Sequence, residues 1–161
     1  MQLEQRDKEL AAIGASVGCN CRPCVDHHIP KGREAGLSEA ELADAVATAR
    51  ALRDQGIELL APRIDELLGQ GNGPTEPAPV AETSRALALV CLGASVGVNS
   101  HPLLERHIAA APEYGLTPTE VTAAIKMASY VQNRAGEITA DKATEALDQL
   151  AAGAEPATIS S

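Results

Sequence analysis

The chain contains no tryptophan and no phenylalanine, and its aromatics are Tyr114 and Tyr130. No aromatic-lined substrate pocket is to be inferred, and the core must be built from Ala, Leu, Val and Ile. Small side chains suit closely packed helices, and Ala is the best helix former. Positive charge is also scarce: 13 Lys and Arg stand against 22 Asp and Glu, a net charge of −9. The basic residues are scattered, which argues against a nucleic-acid backbone or an anionic membrane as partner. No run approaches the roughly 18 apolar residues of a membrane-spanning helix. The opening MQLEQRDKEL lacks the apolar centre of a signal peptide, so a cytoplasmic location is expected. A structural disulfide is unfavoured there, and closely spaced cysteines point to redox or metal chemistry.

At 161 residues there is room for one ordinary domain or two small ones. A core so poor in large side chains buries limited apolar area, at roughly 25 cal/mol per Å². Association of copies is the usual remedy, and a homo-oligomer is expected.

Laid over itself, the chain shows a repeat. GASVGCNCRPCVDHHI, from Gly14 to Ile29, aligns without a gap to GASVGVNSHPLLERHI, from Gly93 to Ile108, with nine of 16 positions identical. The match continues at Gly36-Leu37 and Gly115-Leu116, Glu41 and Glu120, Ala45 and Ala124, and Ala49 and Ala128. This pattern implies a tandem duplication: an N-terminal repeat over residues 1–68, a Gly/Pro linker over 69–80, a C-terminal repeat over 81–152 and a frayed tail over 153–161.

Each repeat reads as helices, and no segment alternates apolar and polar residues as a strand does. The expected fold class is all-α. The first helix covers Leu3 to Val17, and a second runs from Pro23 to about Ala35, stopped by Gly36. Ser38-Glu39-Ala40-Glu41 is a capping box opening a third helix to about Asp54. Thr117-Pro118-Thr119-Glu120 is its counterpart, with proline at the first helical position. A fourth helix is expected in each repeat, over Ile57–Leu68 and Thr139–Ala151.

Three of the four cysteines and two of the four histidines fall in CNCRPCVDHHIP, residues 19–30. The second repeat replaces Cys19, Cys21 and Cys24 by Val98, Ser100 and Leu103 but keeps Pro23 and His28 as Pro102 and His107. Packing of this scaffold therefore does not require the thiols. Cys21 falls at a helix N-cap and Cys24 in the first turn, where free N–H groups and the macrodipole favour a thiolate. His28, four residues after Cys24, shares its helix face and is placed to take a proton. Glu9 lies in the apolar stretch ELAAIGASV, where a carboxylate is either at a solvent edge or aimed at a partner. Its aligned residue is Ala88, so it disappears together with the thiols.

Glu9 followed by C-x-x-C-x-x-x-H at Cys21, Cys24 and His28 resembles the alkylhydroperoxidase D branch of the carboxymuconolactone decarboxylase-like family, in a tandem-duplicated form. The resemblance implies an all-helical thiol peroxidase that assembles as trimers or hexamers, the trimer being favoured here. It implies that Cys24 attacks a hydroperoxide, that Cys21 resolves the product as a disulfide, and that His28 and Glu9 relay the proton. A dithiol partner, a lipoyl group or a thioredoxin-like protein, would then reduce the disulfide, with no other cofactor. Chemically, a peroxide oxidises a thiolate to sulfenic acid, and a neighbouring thiol closes a disulfide before further oxidation. This sequence departs from the pattern in carrying its motif in the N-terminal half. Cys19 supplies a third thiol, and spacing leaves the pairing among Cys19, Cys21 and Cys24 open.

The main rival is a metal site. Cys19, Cys21, Cys24 and His28 (or His27) offer four ligands, the number tetrahedral zinc takes, though all come from one short segment. A decarboxylase of the same superfamily would leave the cysteines unexplained. His27 reads as a solvated surface histidine, Cys91 as a buried core thiol, His107 as structural with no thiol near it, and Arg22 as either solvated or favouring a thiolate.

Overall fold

The computed structural model describes residues 3–70, 78–80 and 82–153. Six α-helices and one short 3₁₀ turn make up the described elements: α1 (Gln5–Gly18), α2 (Arg22–Glu34), α3 (Glu39–Leu67), α4 (Arg85–Gly97), α5 (His101–Ala110) and α6 (Pro118–Ala151). No strand occurs among the described residues, so the all-α expectation holds. Most of the linker expected over 69–80, and the tail beyond Gly153, lie outside the described residues.

Helices α1 and α4 cross at the centre, buried from Glu9 to Gly18 and from Ala88 to Gly97. Their crossing is closer than ordinary side chains allow. A β-carbon on Gly14 would lie 2.3 Å from the Val90 carbonyl oxygen, and one on Gly97 would lie 2.4 Å from that of Ala15. The glycines of the repeated GASVG thus supply absence of bulk, and backbone meets backbone. Around this crossing the main core draws Leu10, Ile13, Leu89, Leu92, Leu52 and Leu103 from helices of both sequence repeats. Fully burying one such side chain contributes about 1.5–3 kcal/mol.

Both expected capping boxes form. Glu41 N–H donates to the Ser38 hydroxyl while the Glu41 carboxylate accepts from Ser38 N–H at 2.9 Å, and Thr117 and Glu120 repeat the arrangement.

The expectation of a fourth helix in each repeat is corrected. Helix α3 runs unbroken over 29 residues and α6 over 34. Gly56 ends nothing: it is buried inside α3, where a β-carbon would come within 2.9 Å of a Val98 methyl. Close packing outweighs its cost of about 1 kcal/mol relative to Ala. Pro62 removes one i→i−4 hydrogen bond, but it lies in the outer half of α3, where water reaches the freed carbonyl.

Candidate active site

The link between α1 and α2 fixes the thiols. After Gly18 the chain turns back on itself: Asn20 N–H donates to the Val17 carbonyl at 3.2 Å and Cys21 N–H to that of Ser16 at 3.0 Å. This is a Schellman closure, which needs a left-handed residue at its hinge. Asn20 supplies it with φ of 56°, and Asn99 does the same in the second repeat with φ of 58°. Asparagine adopts this conformation more readily than most side-chain-bearing residues. The repeated Asn is therefore a backbone requirement that delivers the next residue, Cys21 or Ser100, to the N-cap of the following helix.

At that N-cap the Cys21 sulfur accepts the backbone N–H of Cys24 at 3.3 Å. The two cysteines are joined as a disulfide with Cα atoms 5.3 Å apart. This settles the pairing that spacing left open. Both are nearly buried, at 8% and 6% exposure, among Ala12, Ala15, Val96, Ala128, Val131 and Ala135. That apolar cluster is separate from the main core.

Glu9 is 3% exposed. Of its two sequence-level alternatives, the partner is found: a Glu9 carboxylate oxygen lies 2.8 Å from His28 Nδ1, across from α1 to α2. Gln5 donates to the other oxygen. His28 keeps a small exposed edge, so the pair spans the interior and the surface. His27 is exposed, as expected, and meets the His28 ring edge-on at 4.9 Å between centroids. Arg22 is solvated, with only a loose ion pair to Asp26 at 4.0 Å.

Cys19 stays free and half-buried, its thiol donating to the Ser16 carbonyl at 3.6 Å. Burial pushes its pKa up, opposed by backbone hydrogen bonds. With Cys21 and Cys24 joined, two of the four donors of the Cys19, Cys21, Cys24, His28 metal reading present no thiolate.

An open cleft of about 490 Å³ reaches the disulfide, lined by Cys19, Asn20 and Cys21 together with Arg53, Gln132 and Thr139 from α3 and α6. Arg53 donates to the Asn20 side-chain oxygen at 3.2 Å, and Gln132 to the Val96 carbonyl at 2.8 Å. Sequence reasoning missed these three, which come from helices 30 and more residues away and carry no motif.

His107 was read as having no thiol near it. That is corrected: Cys91 and Glu82 both approach it, and Nδ1 of His107 pairs with the Glu82 carboxylate. Cys91 is fully buried as expected, and burial beside Glu82 pushes its thiol far up. Glu82 aligns with Leu3 in the repeat, so comparison of the two copies gave no signal for it.

No helix of the described residues is long and apolar enough to cross a membrane. No curated protein and no solved structure matches the chain significantly. Residues 2–61 match the sequence model of the carboxymuconolactone decarboxylase family. That span holds α1, α2, the disulfide and the Glu9–His28 pair, so the similarity to the carboxymuconolactone decarboxylase family lies over the candidate site and covers less than half of the chain.

Proposed function

We propose that the protein is a thiol-dependent peroxidase, a thiol–disulfide oxidoreductase that reduces hydroperoxides through Cys24 and Cys21. The observation that carries this reading is the Cys21–Cys24 disulfide at the opening turn of α2, the helix that also carries His28, whose imidazole pairs with the buried Glu9 carboxylate.

In the reduced protein, the Cys24 thiolate attacks the outer oxygen of a hydroperoxide. The O–O bond breaks, Cys24 becomes a sulfenic acid, and the departing alkoxide takes a proton to leave as an alcohol. Cys21 then attacks the Cys24 sulfur, expelling its hydroxyl as water and closing the disulfide. His28 accepts the thiol proton and later returns one, with Glu9 stabilising the imidazolium through Nδ1. An external dithiol, a lipoyl group or a thioredoxin-like protein, attacks the sulfur of Cys21, the disulfide residue that lines the cleft, and releases Cys24 as thiolate. The balance is one hydroperoxide and one dithiol converted to alcohol, water and a disulfide.

The same reading has the chain act as a homo-oligomer, a trimer being favoured. Support comes from a stripe on α3, where Ile57, Leu60, Ile64 and Leu67 are 62%, 57%, 46% and 69% exposed. Spacings of three and four residues place them along one side of the helix. Light scattering that finds a monomer removes this part.

The test of the chemistry is peroxide consumption with a small dithiol as reductant. Cys24→Ser should abolish turnover while the chain stays helical. Turnover at the unmodified rate overturns the assignment.

A further inference from the structure

The second repeat lacks the C-x-x-C thiols, yet its histidine is not idle. His107 is 1% exposed, and its Nε2 is buried with no hydrogen-bond partner among the described residues. Its Nδ1 meets the Glu82 carboxylate. Cys91, from the middle of α4, is 0% exposed. One ligand atom from each of Glu82, Cys91 and His107 lies within 4.8 Å of the other two. The segment carrying Glu82 is pinned from the far side, since the Tyr114 hydroxyl donates to the Glu82 backbone carbonyl at 2.7 Å.

We propose that Glu82, Cys91 and His107 form a site for one thiophilic divalent cation, zinc by its donor set. Carboxylate oxygen, thiolate sulfur and imidazole nitrogen are the three ligand types zinc takes. Bonds of about 2.0–2.3 Å set tetrahedral ligand atoms roughly 3.3–3.8 Å apart, and the three side chains already converge to within 4.8 Å. Charge favours the same conclusion. A dication with one thiolate, one carboxylate and a neutral imidazole is electrically neutral, which a buried site requires. Binding displaces the thiol proton and any proton shared between His107 and Glu82.

The role is structural. Cys91 and His107 are closed to solvent, and the Glu82 side chain keeps 9% exposure. The ion therefore enters as the segment before α4 folds onto the bundle, and it ties that segment to α4 and α5. In the first repeat the aligned residues are Leu3, Ala12 and His28. The site is thus no copy of the thiol centre, and its fate is independent of peroxide chemistry.

The test uses the full chain with Cys21 and Cys24 closed by peroxide, unfolded and refolded with Co²⁺, then freed of unbound metal. One cobalt per chain is expected, with sulfur-to-cobalt charge-transfer absorption in the near ultraviolet that zinc abolishes by displacement. Cys91→Ala should lose the band and weaken binding by about 10–100-fold or more, and Cys19→Ser should leave both unchanged. Ala12 occupies the aligned position in α1, so alanine is a tolerated size there. Should Cys91→Ala fail to fold, Glu82→Gln, outside the helices, should lose metal with its helical circular dichroism intact. Refolded protein that retains no stoichiometric cobalt, or a Cys91→Ala or Glu82→Gln chain that binds as well as the original, overturns the proposal.

Discussion

Gly93 faces Ala11 so closely that a β-carbon built on Gly93 would fall 2.0 Å from the Ala11 carbonyl oxygen. The obstacle is backbone, which cannot rotate aside. Gly93→Ala should therefore push α4 away from α1 and cost about 3 kcal/mol, the upper end of ordinary overpacking. Gly136→Ala is the control, because among the described residues nothing packs within 4 Å of its β-carbon position. It should leave stability unchanged or raise it by up to about 1 kcal/mol through helix propensity. Urea unfolding of the two variants separates close crossing from generic glycine effects.

Cys21→Ser should preserve the helix entry, since the aligned N-cap residue in the second repeat is Ser100. Under the proposed chemistry it permits one oxidation of Cys24 and then stalls. Mass spectrometry should find Cys24 carrying two or three added oxygens after excess peroxide. An unoxidised Cys24 in that variant would remove it as the attacking sulfur.

Under the proposed chemistry, Glu9→Gln keeps an oxygen to accept from His28 Nδ1 but removes the charge that would support proton transfer to the imidazole. Turnover should fall by about 100-fold, within the range of general acid–base contributions, with an unchanged melting temperature. A comparable loss of stability would instead mark Glu9 as a packing residue.

Glu120 gives the clearest dependence on acid. Its carboxylate accepts from Thr117 N–H at 2.9 Å, the Thr117 hydroxyl at 2.7 Å and Arg85 at 2.9 Å. These bonds, the Thr117 backbone first, bring its pKa from 4.5 down to about 2. A carboxyl depressed by folding stabilises the fold above its ordinary range, and that contribution is lost as the pH falls from about 4.5 towards 2. The stability gap between the unmodified chain and Glu120→Gln should be constant above pH ~5 and shrink steadily below it. Arg85 also holds Asp7 at 2.9 Å, so α1, α4 and α6 share this acid-sensitive junction.

Caps and repeats were legible in the sequence because they are local. Ser38 to Glu41 and Thr117 to Glu120 carry their partners within four residues, and the pair Asn20 and Asn99 marks one backbone turn twice. Breaks at Gly56 and before Thr139 were misjudged for the opposite reason. What keeps Gly56 helical is Val98, more than 40 residues on, and no local rule sees that contact. Glu9 could be flagged as an odd carboxylate among apolar residues, and the fold supplied its partner. Glu82 offered no such oddity, being one charged residue near a Pro-rich stretch. The disulfide pairing depended on the turn at Asn20, which places Cys19 on the α1 side and Cys21 and Cys24 on the other.

The thiol cleft is walled by Gly97 at the end of α4, by Val98 just after it, and by Gln132, Ala135 and Thr139 of α6. A gene truncated after α3 would still encode every cysteine and histidine of the reactive motif. It would leave Cys21 and Cys24 without Val96, Ala128, Val131 and Ala135, which bury them here. Under the proposed chemistry the cysteine-poor half supplies the walls around the reactive sulfurs, so each half depends on the other.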